Sequence, residues 1–252
     1  MGLLVLGATL EGACLFPSLD GLGGADAGDA AEDGVTAPDG GRFCASLTPA
    51  PAFCEDFDEP DGAPDLSKWL GYSVNGGASL SVDDTFALSS PRSLLAVAPA
   101  LSSSSAEAAV FPAAGPTPTA RAELVFDVDL VPGNSDATLC SLVSPSATTV
   151  YLIVGPGGIH VGEGPYDGAY PYHPTHAVDW SAGWVHVDLT LNRTATGATT
   201  SLAVNAAALE TNYACDSRFE FGPEQVGLGY IYDGSPADAR QAHIDDVVLY
   251  DE

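Results

Sequence analysis

Hydrophobic and polar residues alternate without a break along Gly183–Asn192. Aliphatic residues fall on one side of this stretch and polar residues on the other, with Trp184 at the head of the polar side: Val185, Val187, Leu189 and Leu191 against His186, Asp188, Thr190 and Asn192. Because successive side chains of a strand point to opposite faces, the stretch predicts a strand with one face in a core and one face in solvent. Ala120–Val131 alternates in the same way, which is typical of an antiparallel sheet.

Short runs of β-forming residues, separated by turn residues, continue from Phe43 to the C-terminus, and no convincing amphipathic helix interrupts them. The predicted strands are Ala52–Phe57, Trp69–Val74, Ser79–Val82, Ser93–Ala98, Ala106–Phe111, Ala120–Val131, Thr138–Val143, Thr149–Val154, Gly158–Val161, Trp184–Leu191, Thr200–Val204, Gln225–Tyr232 and Ala242–Tyr250. We therefore expect an all-β fold, a two-sheet antiparallel sandwich, over residues 43–252.

The N-terminal residues have a different composition. Residues 1–13 contain an apolar run, Leu3–Leu10, that is too short to span a bilayer and is typical of a signal peptide, although no lysine or arginine precedes it. Residues 14–42 hold too little apolar surface to offset the entropy cost of ordering, so they predict a disordered acidic tether. Gly12–Cys14 resembles the end of a bacterial lipoprotein signal, with Glu11 where an aliphatic residue is usual. The resemblance implies that Cys14 is lipidated and that the protein is held at the cell envelope.

The net charge narrows the class of partner. Among 252 residues, seven basic side chains face 34 acidic ones, which gives a net charge of −27. Such a field repels phosphates and anionic lipid heads, so we expect no nucleic acid partner and no membrane contact other than a lipid anchor. The acidity indicates either solubility or the binding of cations by carboxylates.

Five cysteines are spread along the chain without zinc-ligand spacing, at positions 14, 44, 54, 140 and 215. This spread favours disulfides and therefore an oxidising compartment, as in a secreted protein. Proximity in sequence favours the pairs Cys44–Cys54 and Cys140–Cys215, while the two other pairings of these four residues stay open. Cys14 stands apart.

Three stretches in this order resemble the concanavalin A-like lectin/glucanase superfamily, in particular LamG-like jelly rolls. They are the opening FCEDFDEP of Phe53–Pro60, the Trp-led strand of Gly183–Asn192 with Leu202–Asn205 after it, and the closing HIDDVVLYD of His243–Asp251. The resemblance covers about residues 43–252. It implies a jelly roll of two sheets whose first and last strands meet, with glycan binding on a concave face and calcium at the rim.

The motifs of enzymes are missing. No strand carries the paired glutamates of the glycosidases of this superfamily, and no GxSxG, HExxH or P-loop motif occurs. Asp127 and Asp129 share one strand face and are the alternative catalytic pair, since glycoside hydrolysis uses two carboxylates across a cleft. The pair His173 and His176 is a weak metal motif, because Pro174 lies between them and no third ligand is near. We therefore expect no catalysis.

The loop Gly164–Trp180 concentrates aromatic residues among glycine and proline, and long irregular loops are often functional. Aromatic rings stack on the apolar faces of sugars, while carboxylates and amides bind hydroxyls. The candidate ligand-binding residues are Tyr166, Asp167, Tyr170, Tyr172, His173 and Trp180, together with Trp184. The alternative is that these rings only pack the loop onto the sandwich.

Calcium is the candidate cofactor. Asp56 and Asp58 near the first strand would meet Asp245 and Asp246 near the last strand if those strands pair, and calcium takes oxygen ligands. Strict alternation places Ile244, Asp246 and Val248 on one face and Asp245, Val247 and Leu249 on the other. The alternative role of these acids is to cap turns.

Together these observations predict an extracellular, lipid-anchored, non-catalytic jelly-roll domain that binds a glycan or another surface ligand. Two alternatives remain. One is a divergent glycoside hydrolase or lyase of the same fold, and the other is a purely structural domain of the cell surface.

Overall fold

The computed structural model of the chain describes residues 42–58, 69–89, 91–100, 107–112, 120–143, 148–165, 171–215, 225–232 and 238–251. The predictions of a signal peptide, of a lipidated Cys14 and of an acidic tether over residues 14–42 lie outside these residues, except for Arg42 at the start of the described part. Among the described residues, no helix is both long and apolar enough to span a membrane.

A five-residue helix, α1 (Arg42–Ser46), precedes fourteen strands in the described part of the chain. The strands are β1 (Phe53–Glu55), β2 (Trp69–Asn75), β3 (Ser79–Asp83), β4 (Ser93–Ala98), β5 (Glu107–Pro112), β6 (Arg121–Val131), β7 (Ala137–Val143), β8 (Thr148–Gly155), β9 (Gly158–Pro165), β10 (Val185–Thr194), β11 (Gly197–Val204), β12 (Ala207–Ala214), β13 (Gln225–Tyr232) and β14 (Arg240–Asp251). A 3-10 turn, Trp180–Ala182, precedes β10.

The strands form two antiparallel sheets, as the alternation predicted. The first sheet has eight strands in the order β12-β11-β10-β6-β14-β4-β3, with β1 paired to one half of β14. The second sheet has six strands in the order β2-β5-β13-β7-β8-β9. Both sheets contribute to one apolar core, so the sandwich expected from the sequence is confirmed. Strand β12 is an edge strand of the first sheet, and β9 is an edge strand of the second.

The two alternating stretches take the predicted faces. In β6 the residues at 122, 124, 126, 128 and 130 are buried and the intervening ones are only partly buried. In β10 the four aliphatic residues of the predicted inner side are fully buried. Removing one such side chain from water contributes roughly 1.5–3 kcal/mol, which is why these faces determine how the sheet is oriented.

The first and last strands pair, as the superfamily resemblance implied. Phe53 lies opposite Leu249 in the antiparallel β1/β14 ladder. The predicted alternation through β14 is wrong, however, because Asp246 has a positive φ of 50° and the register against β6 shifts between Asp245 and Val248. This β-bulge puts Val247 on the core side together with Ile244. Asp245 and Asp246 thereby lie between the part of β14 that pairs with β4 and the part that pairs with β1.

One of the two predicted disulfides is present. Cys44 and Cys54 form a disulfide that ties α1 to β1, in accordance with an oxidising compartment. The predicted Cys140–Cys215 bridge is wrong, because these two residues are not joined by a disulfide. Cys140 points into the core from the middle of the second sheet, whereas Cys215 follows β12 at the end of the first. Burial raises the pKa of the Cys140 thiol, so this residue is an unreactive core side chain.

Strand β12 was not predicted from the sequence. Its residues AALETNYA lack β-branched alternation, and six of the eight are exposed. Pairing with β11 holds it in place, with register shifts near Leu202. Tertiary context therefore created this strand where local propensity was weak.

Candidate functional site

The outer face of the second sheet carries small, polar and aromatic side chains. The ladders place Ser141 opposite Tyr151, and Tyr151 opposite Gly162, on the face away from the core. The described side chains of β7, β8, β9 and β13 on this face include no carboxylate, lysine or arginine. These positions are Thr138, Ser141, Val143, Thr149, Tyr151, Ile153, Gly155, Gly158, His160, Gly162, Gly164, Gly227 and Gly229. The side chains at these positions are therefore uncharged, in contrast to the chain as a whole, while the Asp136 carboxylate lies against Gly155 at the end of β8.

These outer-face side chains are shielded from solvent although they point away from the core. Ser141, Tyr151 and His160 are 3%, 7% and 6% exposed. Thr149 Oγ1 is buried and has no hydrogen-bond partner among the described residues. Shielded aromatic surface with a few polar groups is the usual lining of a site for a small or extended ligand.

Tyr172 forms one rim of this face. It is 60% exposed, and its ring meets the His160 ring edge-on at a centroid distance of 5.4 Å. A Cβ at position 162 would lie 3.2 Å from Tyr172 Cδ1, so Gly162 allows the tyrosine to lie flat against β9. Burial lowers the pKa of His160, against the opposing charges of Asp136 and Glu210. A neutral imidazole at this rim can both donate and accept a hydrogen bond.

The part of the predicted loop that follows Tyr172 extends the second sheet. Backbone hydrogen bonds join Ile159 to His176 in both directions and join His173 N to Val161 O at 2.8 Å. These contacts add residues 171–176 to β9 as a short edge segment. The predicted ligand residues Tyr166, Asp167 and Tyr170 lie outside the described residues.

His173 points inward, between the two sheets. Its Nε2 lies 3.0 Å from Glu163 Oε1 on β9, and its Nδ1 lies 2.9 Å from Glu210 Oε2 on β12. Both glutamates are on core-facing positions, opposite Val150 and Leu202 respectively. We call Glu163, His173 and Glu210 the edge clamp, because they connect the sheets where β9 and β12 end them.

The electrostatics of the edge clamp favour a charged imidazole. Burial by itself would lower the pKa of His173, but its hydrogen bonds to Glu163 and Glu210 and the attraction of both carboxylates outweigh that effect and raise the pKa to about 9. The imidazolium then donates to a carboxylate on each side. His176 Nε2 adds a contact of 3.2 Å to Glu210 Oε1, and the Tyr213 ring stacks on His173 at 4.0 Å. The clamp therefore has the form of a structural element, whose residues bind one another.

Of the predicted aromatic ligand residues, the described ones, Tyr172, Trp180 and Trp184, do not form one surface. Trp180 is partly buried against the core, while Trp184 stacks on Phe86 at a centroid distance of 5.4 Å. The Phe86 ring also contacts the ring of His243 on the outer side of the first sheet. His243 lies opposite Asp129 in the β6/β14 ladder. Trp184 and Tyr172 thus lie on the outer sides of different sheets, because the chain crosses from the β9 edge of the second sheet to β10 of the first between these two residues.

The four predicted calcium ligands, Asp56, Asp58, Asp245 and Asp246, are all buried, and we call them the aspartate cluster. Their carboxylates hold backbone and hydroxyl donors of the nearby loop. Asp245 Oδ2 accepts from Leu88 N at 2.9 Å and Ser89 N at 3.0 Å, Asp246 Oδ1 accepts from Ser89 Oγ at 2.8 Å, and Asp58 Oδ1 accepts from Arg92 N at 3.2 Å. The loop of residues 84–89, which carries Phe86, is therefore fastened to β14.

Burial and mutual repulsion act on two carboxylates of the aspartate cluster. Burial, reinforced by the charge of Asp246, raises the pKa of Asp245 to about 8. Burial and the charges of Asp127, Asp56 and Asp58 raise the pKa of Asp246 to about 6. Asp56 Oδ2 is buried without a hydrogen-bond partner among the described residues. In the described part of the chain, no three histidine, cysteine, aspartate or glutamate side chains are already arranged to hold a metal ion.

The two aspartates of the alternative catalytic pair lie on the first sheet. Asp127 and Asp129 share the outer face of β6, and His186 Nδ1 lies 3.1 Å from Asp127 Oδ1. Sequence reasoning missed Tyr151, Ser141 and Phe86. The first two lie in strands whose two faces are both buried, so their alternation was hidden, and Phe86 follows a strand without any local motif.

The chain matches no protein-family model and no curated protein sequence. Its fold nevertheless matches solved structures. An endo-β-1,4-glucuronan lyase from the fungus Trichoderma reesei has a TM-score of 0.60 at 13% identity, over 80% of this chain and 96% of that one. The cellulose-induced protein Cip1 has a TM-score of 0.52 at 14% identity, over 78% and 96% of the two chains.

A third similar structure is that of botulinum neurotoxin type C, described as dependent on two ganglioside molecules for cell entry. It has a TM-score of 0.50 at 12% identity, over 79% of this chain and 47% of that one. At such identities the comparisons establish a jelly-roll sandwich of the concanavalin A type and nothing finer.

Proposed function

We propose that this protein is an extracellular domain that binds an uncharged glycan, without cleaving it, on the outer face of its second sheet. The observation that carries the proposal is the shielded, uncharged face around Ser141, Tyr151 and His160, with Tyr172 at its rim. Hydroxyl and imidazole groups match sugar hydroxyls, and tyrosine rings match the apolar faces of sugars.

The charge and the fold neighbours support this choice of ligand. A net charge of −27 disfavours polymers of uronic acids and leaves neutral glycans as the better match for an uncharged face. The similar structures include a lyase that acts on a glycan and a toxin that interacts with gangliosides. The Cys44–Cys54 disulfide fits an extracellular location. Attachment to the cell envelope through a lipidated Cys14 is part of the same proposal and rests on the sequence alone.

Binding to an array of neutral polysaccharides, followed by calorimetry with the best ligand, tests the function. We expect Tyr172→Ala to weaken binding about tenfold, since loss of one aromatic stacking contact costs roughly 1–1.5 kcal/mol. Tyr213→Ala is the matched control, because Tyr213 is also exposed but stacks on His173 at the core-facing side. Absence of any retained glycan, or equal affinities of the two variants, would refute the proposal. New reducing ends in the ligand would instead establish the hydrolase or lyase alternative.

We propose further that the aspartate cluster binds calcium. The donor set fits the ion chemically, since it consists of carboxylate oxygens at high negative charge, and Asp56 Oδ2 is a buried oxygen without a partner. Asp56, Asp58, Asp245 and Asp246 are the candidate ligands. The ion would neutralise the cluster and strengthen the attachment of the Phe86 loop to β14.

Thermal unfolding with millimolar calcium or with a chelator tests this second proposal. We expect calcium to raise the midpoint, and to raise it more at pH 8 than at pH 5, because protonation of Asp245 and Asp246 competes with the ion. Asp56→Asn should reduce the calcium-induced rise, whereas Asp188→Asn on β10 should leave it unchanged. An identical midpoint with calcium and with chelator at pH 8 would count against a calcium site.

A further inference from the structure

A stacked aromatic pair, the exposed Phe86 and the half-buried Trp184, lies on the outer side of the first sheet, away from the proposed glycan face. Phe86 is 41% exposed and stacks on Trp184, with the two ring planes 10° apart. Asp83 and Asp129 adjoin the pair. Asp83 Oδ2 lies 3.5 Å from Nδ1 of His243, whose ring contacts Phe86, and Asp129 lies opposite His243 in the β6/β14 ladder. We call Phe86, Trp184, Asp83 and Asp129 the aromatic–acidic patch.

The carboxylates around the patch face histidines and no lysine or arginine of the described residues: His243 lies beside Asp83, and His186 lies beside Asp127. Asp127 and Asp129 follow the same face of β6, and no arginine or lysine of the described residues pairs with Asp83 or Asp129. The net charge of the whole chain, −27, adds to this local field. An aromatic surface beside unneutralised carboxylates attracts cations, through the ring faces and through direct charge attraction.

We propose that the aromatic–acidic patch binds an amine-bearing glycan, in which unacetylated amino sugars place ammonium groups at Asp83 and Asp129 and lay a ring face on Phe86 and Trp184. Charge complementarity with the two aspartates favours ammonium groups on the ligand, and the exposed ring of Phe86 beside Trp184 favours a sugar ring. The choice of a glycan rests on the proposed function, although the patch is on the opposite sheet. The protein would thereby hold two kinds of sugar on two faces.

Calorimetry with a β-1,4-glucosamine hexasaccharide and with its fully N-acetylated counterpart tests the proposal, at mildly acidic pH where the sugar amines are protonated. We expect the glucosamine form to bind at least about tenfold more tightly at low salt, and Trp184→Ala to weaken it about tenfold. Asp129→Asn, which keeps both rings, should weaken it severalfold. Rising salt should also weaken it, because exposed charge attraction is screened.

The controls separate this site from the one on the second sheet. Tyr172→Ala should leave glucosamine binding unchanged, and Trp184→Ala should leave binding of a neutral glycan unchanged, so either site can fail by itself. Trp184→Phe guards against a folding defect, since it keeps an aromatic ring and should retain most of the affinity. Equal affinity for the two hexasaccharides, insensitivity to Trp184→Ala, or equally tight binding of an oligolysine of matched charge would overturn the proposal.

Discussion

Replacing His173 by alanine is expected to destabilise the fold by about 3–5 kcal/mol at pH 7. The substitution leaves Glu163 and Glu210 buried and facing each other without the imidazolium between them, and their side chains are only 1% and 3% exposed. Removing one partner of a buried ion pair has a cost of this size, because the remaining charge stays desolvated. Urea denaturation followed by tryptophan fluorescence measures the change. Glu163→Gln in the same background should recover part of the loss.

The same side chain predicts a pH dependence. The pKa of His173 is about 9 in the folded state, above the 6.5 of an unfolded histidine, so its contribution is fully present below pH 6.5 and is lost as pH rises through 9. The contribution amounts to about 3 kcal/mol from the difference between the two pKa values. The wild type should therefore lose more stability between pH 6.5 and 9.5 than His173→Gln does. Parallel stability curves for the two proteins would contradict a charged clamp.

His176→Ala is the matched control for the edge clamp. His176 contacts the same Glu210, but its side chain is 23% exposed and it lies 3.2 Å from the carboxylate. Partly exposed pairs contribute roughly 0–1 kcal/mol, so the loss should stay within that range. If His176→Ala lowered the free energy of unfolding as much as His173→Ala does, the stabilisation would come from both histidines and not from the edge clamp.

Gly158→Ala is expected to cost about 3 kcal/mol and to detach the edge segment, residues 171–176, from β9. Gly158 has a φ of +122°, and a Cβ on it would lie 1.9 Å from the carbonyl oxygen of His176. Backbone at this φ strains any residue with a side chain by about 1–3 kcal/mol, and relief of the clash requires the segment to move. Chemical denaturation gives the stability, and proteolysis within residues 171–180 should accelerate.

Gly197→Ala is the control for this glycine. Gly197 also begins a strand after a tight turn, yet nothing lies within 4 Å of the position its Cβ would take. We expect a change within about 0.5 kcal/mol and an unchanged proteolysis pattern. Similar effects of the two substitutions would mean that the edge segment is not packed against β9 as described.

The long strands and their faces were predictable from the sequence because alternation is a local property. β6 and β10 carry aliphatic residues at every second position, and each strand has one face in the core. β7 and β8 were harder to assign by face, since both of their faces are buried and the pattern no longer distinguishes core from outer side. β12 escaped prediction because its position depends on pairing with β11.

The candidate site was only partly predictable, for a related reason. The sequence pointed to one aromatic loop, yet Tyr172 lies at the rim of the second sheet, His173 turns between the sheets, and Trp184 meets Phe86 on the first. In a segment that crosses from one sheet to the other, the direction of the side chains changes from residue to residue, so the sequence does not show which surface each side chain joins. The meeting of the aspartates at the first and last strands was predictable from the strand pairing, whereas the β-bulge at Asp246 was not.

The sequence by itself determined the class of fold and the strongly acidic field, since these follow from periodicity and composition. Proximity favoured the pairing of Cys44 with Cys54 without excluding the other pairings, and the superfamily resemblance implied that the first and last strands meet. Only the tertiary structure decided that Cys140 and Cys215 stay apart, that Glu163 and Glu210 enclose His173, and that the aromatic residues divide between two faces. The physical reason is that a strand pattern specifies which side of a sheet a residue takes. It does not specify which distant strand completes the contact.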